Sequence, residues 1–138
     1  MFTIDEGTDF GARAAAHLRD DIVVWLTSVS PAGAPLPTPV WFIWDGGTHV
    51  TVHSLATARR NDHVRANPRL TLNFPGTPDG GDIVVFSGRA TVTDDTSLTD
   101  AYIKKYEQAI PGIGETPESF AARYSTGFDI ELTALRGH

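Results

Sequence analysis

The chain has 138 residues, of which 41% are hydrophobic and 20% charged, with a formal net charge of -6. These values are typical of one globular domain, predicted over residues 1–138, and the acidic balance argues against a nucleic-acid surface. Cysteine is absent, which excludes disulfides, thiolate metal sites and cysteine nucleophiles. The acidic start lacks the features of a secretory signal and no apolar run approaches a membrane span, so a cytoplasmic location is predicted.

A helix and two strands are predicted first. Apolar residues recur at helical spacing over residues 8–19, where Thr8 or Asp9 is suited to cap the helix. Residues 22–29 are β-branched and aromatic, which predicts a strand. The next strand, residues 36–44, begins with two prolines, so its early half is predicted to lie at a sheet edge.

Four further strands are predicted, with helices between them. Gly88 lies inside the longest strand, where it indicates a bulge or a bend. A proline after Thr116 marks the start of a helix. The predicted strands are residues 48–54, 69–74, 82–93 and 127–133, and the predicted helices are residues 57–66, 97–109 and one that opens at Thr116. Six strands separated by turns favour a small antiparallel barrel.

An arginine-bearing segment forms a candidate phosphate site. Residues 58–69 contain four arginines and one aspartate. Thr57 is suited to cap a helix whose free amides would face an anion, and Arg59 and Arg60 supply guanidinium groups of matching geometry. The alternative is a solvated helix face with surface arginines.

The aromatic strand before this segment is a candidate wall for a flat ligand. Alternation places Trp41 and Ile43 on one face, and Val40, Phe42 and Trp44 on the other. Only one of these sets can face a ligand. The alternative is that the aromatic residues belong to the core or to a dimer interface.

The histidines do not predict a metal site. His49 and His53 share a strand face but lie roughly 13 Å apart at about 3.3 Å per residue, too far to bind one zinc ion. His17 and His138 are predicted to be ordinary surface residues. No Gly-x-Ser-x-Gly sequence is present to indicate a serine nucleophile.

Two lysines lie in the predicted helix 97–109. Lys104 and Lys105 precede Tyr106 in the helical pattern. They are predicted to face solvent beside a packed tyrosine, and an anion contact is the alternative.

Four segments, taken in order, resemble one known group of proteins: residues 39–46, 57–69, 80–85 and 102–106. The chain resembles the split β-barrel flavin/deazaflavin oxidoreductases, which are pyridoxamine 5'-phosphate oxidase-like, and is most similar to the actinobacterial branch that uses coenzyme F420. The resemblance implies a mainly β (α+β) fold: a six-stranded antiparallel split β-barrel with peripheral helices, of the FMN-binding split-barrel type. It also implies a homodimer with the cofactor in a groove at the subunit interface.

The resemblance also implies which residues bind the cofactor. Arg59 matches the family's phosphate-binding lysine. The implied cofactor-binding residues are Pro39, Val40, Trp41, Ser54, Thr57, Arg59, Arg60 and Asn61. The first three correspond to the strand that lies along the ring system. The pattern departs at Asn61 and Asp62, where family members often carry a basic residue and an asparagine, so the chain offers less positive charge to a polyanionic tail.

The implied function is hydride transfer between F420 and a small, fairly apolar, unsaturated or quinone-like substrate. The cofactor carries the reactive atom, and Tyr106 or a histidine is the candidate proton donor. FMN in the same groove is one alternative. A non-catalytic carrier of F420, flavin or haem is another.

Overall fold

Seven antiparallel strands form one curled sheet. The computed structural model describes residues 2–95 and 97–138. The strands are β1 (Val24–Val29), β2 (Pro35–Val40), β3 (Ile43–Trp44), β4 (His49–Ser54), β5 (Arg69–Asn73), β6 (Val84–Thr93) and β7 (Thr126–Gly137). Their order across the sheet is β2-β1-β5-β6-β7-β4-β3.

The sheet is a barrel with an open seam. β2 and β3 follow each other directly in the sequence, yet they lie at opposite edges of the sheet. Residues 41–42 must therefore cross from one edge to the other, which brings the edges together without a hydrogen-bonded ladder between them. The split-barrel prediction is confirmed. The predicted strand 36–44 is two strands, because its halves pair with different neighbours, so the sheet has seven strands and not six.

Tyr106 bridges the seam. Its hydroxyl group accepts a hydrogen bond from Phe42 N at 2.8 Å and lies 2.7 Å from Ile22 O and 2.9 Å from Phe42 O. The Lys105 ammonium also donates to Phe42 O, at 3.1 Å. These side chains satisfy backbone groups that have no strand partner at the crossing.

The predicted alternation around the crossing is confirmed. Val40, Phe42 and Trp44 join the barrel core, whereas Trp41 and Ile43 pack outside it. The core is filled by aliphatic and aromatic residues from every strand and from α1 and α2, among them Leu18, Leu26, Val52, Val64, Leu72, Phe86 and Phe128.

Five helices lie in the described residues, and the second and third are shorter than the sequence pattern suggests. They are α1 (Asp9–Asp20), α2 (Arg60–Ala66), α3 (Asp100–Lys105), α4 (Ala109–Gly112) and α5 (Pro117–Arg123). Thr8 caps α1 as predicted, and Thr116 forms a capping box at α5. The predicted helix 97–109 is wrong as one element, because the chain turns after Lys105. None of the helices in the described residues has the length and apolar character needed to span a membrane.

The bulge predicted at Gly88 is confirmed. The register of β6 against β7 shifts between Ser87 and Gly88. A Cβ at Gly88 would lie 2.8 Å from Ile130 Cγ2 and 3.0 Å from Glu131 O. Glycine is required here because the bulge brings the two backbones into close contact.

His17 is not an ordinary surface residue. It bridges two carboxylates, with Nδ1 2.6 Å from Asp21 Oδ2 and Nε2 2.8 Å from Asp82 Oδ2, and its ring stacks on Phe74. Arg13 binds the other oxygen of Asp82. Although burial opposes the charged form, the two carboxylates raise the pKa of His17 above 6.5. This contact joins α1 to the loop before β6.

Candidate functional site

A cationic groove lies at one end of the barrel. It is lined by Ser28, Ser30, Leu36, Pro37, Thr38, Ala58, Arg59, Arg60 and His63, and its volume is about 620 Å³. No carboxylate among the described residues lines it. Neither Arg59 nor Arg60 forms an ion pair with any described residue. The groove therefore presents two guanidinium groups without internal neutralisation.

Arg60 is the stronger of the two anchors. Its Nε donates to Ser54 Oγ at 3.0 Å, and Ser54 is fully buried. Burial lowers the pKa of the Arg60 guanidinium, which reflects the cost of holding a charge away from water. A half-buried cation without a carboxylate partner is better suited to a bound anion than to a solvated helix face.

Thr57 and Asn61 do not lie where the phosphate hypothesis requires them. Thr57 is exposed and does not cap α2, because the helix begins at Arg60 with Arg59 before it. The amides of residues 61–63 are already paired, as Asn61 N donates to Ala58 O, and Asp62 N and His63 N donate to Arg59 O. The cap prediction is therefore wrong, and an anion would be held by guanidinium groups.

Asn61 has a structural contact. It is 3% exposed, and its Nδ2 donates to Leu55 O at 2.8 Å. This hydrogen bond fixes the loop between β4 and α2, which contains Thr57. Its contribution to a ligand site would be indirect.

An apolar cavity lies beside Pro39, near the end of β2. It is lined by Pro39, Trp41, His53, Ile113, Phe120 and Tyr124, and its volume is about 260 Å³. The predicted residues Pro39 and Trp41 face this cavity. Val40 points into the barrel core and is 7% exposed, so only its backbone is available to a ligand.

Aromatic rings form the wall of the cavity. Trp41 stacks on Phe120 with centroids 5.5 Å apart and planes at 11°, and Phe120 stacks on Tyr124 at 4.3 Å and 15°. On the other side Trp41 stacks on Tyr106, at 4.7 Å and 12°. We call the cluster of Trp41, Ile43, Leu98, Tyr102, Tyr106, Ala109, Ile110, Phe120 and Tyr124 the outer aromatic cluster. It holds Trp41 in one orientation.

His53 is a buried polar group in the cavity wall, which also contains the phenol of Tyr124. It is 8% exposed, because α3 and α5 cover the strand face that it shares with His49. Its Nδ1 is buried and has no hydrogen-bond partner among the described residues. Burial lowers the pKa of His53 below 6.5, against the opposing charge of Asp95, so the ring is neutral near pH 7.

The remaining titratable candidates have structural partners. His49 pairs with Asp129 at 2.8 Å. The described residues contain no cluster of three or more histidine, aspartate or glutamate side chains that could bind a metal ion. The prediction that Lys105 faces solvent is wrong: it is half-buried with its Nζ 3.7 Å from the centre of the Phe42 ring, and burial lowers its pKa to about 8.

Several cavity residues were not predicted from the sequence. Phe120 and Tyr124 lie on and after α5, far in sequence from Trp41, and no local pattern connects them. In the sequence, His53 could have been identified as a candidate by its position at the end of a predicted strand, beside Ser54. Its burial depends on helices that arrive some fifty residues later.

Comparison with known proteins agrees with this geometry. A family model described as Pyridoxamine 5'-phosphate oxidase matches residues 10–137, and the chain belongs to this family of split barrels. A structure titled F420 Reductase superposes with a TM-score of 0.68 at 21% identity, covering 88% of this chain and 94% of the other. The conserved hypothetical protein Rv2991 from Mycobacterium tuberculosis gives 0.69 at 17% identity, with coverages of 91% and 81%.

A third similar structure has a different described role. It is HutZ, a haem storage protein from Vibrio cholerae, with a TM-score of 0.61 at 13% identity and coverages of 91% and 89%. A search of curated proteins gives no match. The identities of the solved structures are low, so they establish the fold alone.

Proposed function

We propose that this protein is an oxidoreductase that binds the deazaflavin F420 and transfers a hydride between it and a small, fairly apolar, unsaturated or quinone-like substrate. The observation that supports this most is the half-buried Arg60, which has no carboxylate partner in the described residues and lines the cationic groove. Thr38 of that groove and Pro39 of the aromatic cavity are consecutive residues of β2. A cofactor with a flat ring and a phosphate tail has both of the features that these surfaces recognise.

The chain's own residues would bind and orient the cofactor. Arg59 and Arg60 would hold the phosphate, and Ser54 orients Arg60. Pro39 and Trp41 would lie beside the ring, with Trp41 fixed by its stacking on Tyr106. When bound, the deazaflavin supplies the hydride chemistry. Tyr106 is excluded as proton donor, because its hydroxyl is bound to the backbone at the seam.

A cofactor titration tests this proposal. Coenzyme F420 and, separately, FMN are added to the purified protein while tryptophan fluorescence is followed. Arg59→Ala and Arg60→Ala are each expected to weaken F420 binding by about 1.5 to 3 kcal/mol, the range for a hydrogen bond to a charged group. Arg65→Ala is the matched control, since Arg65 lies on the same helix, is exposed and pairs with Asp62. It is expected to change binding by less than about 0.5 kcal/mol.

The outcomes separate the alternatives. Preference for FMN would assign the chain to the flavin-using members, and binding of neither cofactor would contradict the proposal. Equal effects of Arg60→Ala and Arg65→Ala would contradict the phosphate assignment. Binding without turnover of the reduced cofactor by any acceptor would favour a carrier.

A homodimer is part of the proposal. The outer face of the sheet carries a shallow groove lined by Thr27, Val29, Thr71, Ser87 and Thr133, among others, with a volume of about 500 Å³. A second copy packed there would cover Val29 and extend the cofactor groove. Light scattering is expected to give twice the chain mass of 14.9 kDa. A single-chain mass at micromolar concentration would contradict this assembly.

A further inference from the structure

We propose that the apolar cavity is the substrate site, and that it takes a flat, uncharged compound of about two fused rings whose carbonyl or hydroxyl group hydrogen-bonds to His53. This inference rests on the proposed function, in which the phosphate lies in the cationic groove and the cofactor ring lies beside Pro39 and Trp41, at the edge of the cavity. It adds the place of the substrate and the residue that recognises it.

The size of the cavity limits the ligand. Its volume of about 260 Å³ is below the range of roughly 300 to 1,000 Å³ that is usual for drug-sized ligands. A three-ring cofactor with its tail, or a haem, needs more room than this. A compound of one or two rings fits the available space.

The walls determine the shape and charge of the ligand. Phe120 and Tyr124 stack almost in parallel, and Trp41 continues the same stack. Such a wall favours a flat ring packed against it over an aliphatic chain. Ile113 is 47% exposed at the mouth, which extends the apolar surface to the entrance. In the part of the chain that the structure describes, no charged side chain lines the cavity, so a charged ligand would lose its hydration without compensation.

His53 supplies the polar contact. A side chain that is more than nine-tenths buried, with a ring nitrogen that has no partner in the described residues, leaves a hydrogen bond unmade inside an apolar wall. Such groups are uncommon in folded proteins unless a ligand or water completes them. A neutral imidazole has one N–H and one lone pair, so it binds either a carbonyl or a hydroxyl group.

The experiment compares two probes of the same shape in the protein without cofactor. They are 2-acetylnaphthalene, which has a carbonyl group, and naphthalene, which has none. Binding is followed by NMR of the histidine ring protons and the tryptophan indole N–H groups. The ketone is expected to bind about fivefold more tightly than naphthalene, the effect of one net hydrogen bond, and to shift the His53 resonances.

Variants assign the preference to His53. His53→Phe is expected to abolish the preference while naphthalene still binds. His53→Gln retains a donor and an acceptor and is expected to keep part of the preference. His49→Phe is the matched control, because His49 lies on the same strand face, pairs with Asp129 and does not line the cavity. It is expected to leave both affinities unchanged.

Three results would overturn the inference. They are the absence of saturable binding by either probe, a ketone preference that persists in His53→Phe, and displacement of the ketone by saturating F420. The last result would show that the cofactor ring occupies the cavity. Because the probes are tested without cofactor, ketone binding without F420 binding supports the cavity and contradicts the proposed function. F420 binding without a ketone preference supports the proposed function and contradicts the assignment of the cavity as the substrate site.

Discussion

Replacing Tyr106 with phenylalanine tests whether the seam is held by one hydroxyl group. Tyr106 is fully buried, and its hydroxyl accepts from Phe42 N at 2.8 Å while it donates to Ile22 O or Phe42 O. The variant Tyr106→Phe keeps the ring and its stacking on Trp41. It removes the hydrogen bonds that join the crossing at Phe42 to Ile22, just before β1.

The expected loss in the free energy of unfolding follows from the backbone groups that would lose their hydrogen bonds. An orphaned buried N–H at Phe42 costs about 1 to 3 kcal/mol, and the loss of one donated bond adds about 0.5 to 1.5 kcal/mol. Lys105 still donates to Phe42 O, so that carbonyl keeps a partner. The free energy of unfolding is therefore expected to fall by about 3 kcal/mol.

A second buried tyrosine provides the control. Tyr102 is also fully buried, but its hydroxyl has no partner in the described residues. Tyr102→Phe is expected to change the free energy of unfolding by less than about 0.5 kcal/mol or to raise it slightly, since it removes an unpaired polar group. Urea-induced unfolding, followed by circular dichroism, measures both variants. Equal destabilisation by the two variants would refute the reasoning, because it would assign the effect to the ring environment and not to the seam.

Three further predictions concern other parts of the fold. His17→Gln is expected to lower the free energy of unfolding most below about pH 6.5, the usual pKa of histidine, and progressively less as the pH rises above it: folding raises the pKa of His17, so its contribution is complete below its unfolded value and lost as the pH rises through the folded value. A flat pH profile of the difference between wild type and variant would contradict this. Gly88→Ala is expected to cost about 1 to 3 kcal/mol in urea unfolding, because its Cβ would clash with Ile130, whereas Gly112→Ala, with open space around it, serves as the neutral control. Thr116→Ala is expected to cost about 1 kcal/mol through loss of the capping box, and thermal unfolding unchanged from wild type would rule this out.

Local sequence patterns correctly predicted the features that depend only on neighbouring residues. Thr8 caps α1 because its side chain reaches an amide three residues on. The bulge at Gly88 follows from the absence of a side chain within a long strand. The alternation of Val40, Trp41 and Phe42 is a property of the extended backbone, and it was correct although the strand is broken there.

The errors arise where distant segments meet. Nothing near residues 41–42 shows that the chain crosses between sheet edges, because the partners of β2 and β3 are set by the whole topology. His17 and Lys105 look like surface residues in the sequence. Their contacts are with Asp82 and Phe42, more than sixty residues away.

Local sequence patterns were sufficient to predict a small antiparallel barrel, most of its strands and the pairing of an aromatic strand with neighbouring arginines. These follow from periodicity, turn chemistry and charge, which act over a few residues. The packing of distant segments left Arg60 without a carboxylate partner among the described residues, placed Thr57 outside the cap of α2 and buried His53 in an aromatic cavity. Burial and ion pairing depend on which distant side chains fill the surrounding space, and the order of residues along the chain does not specify that locally.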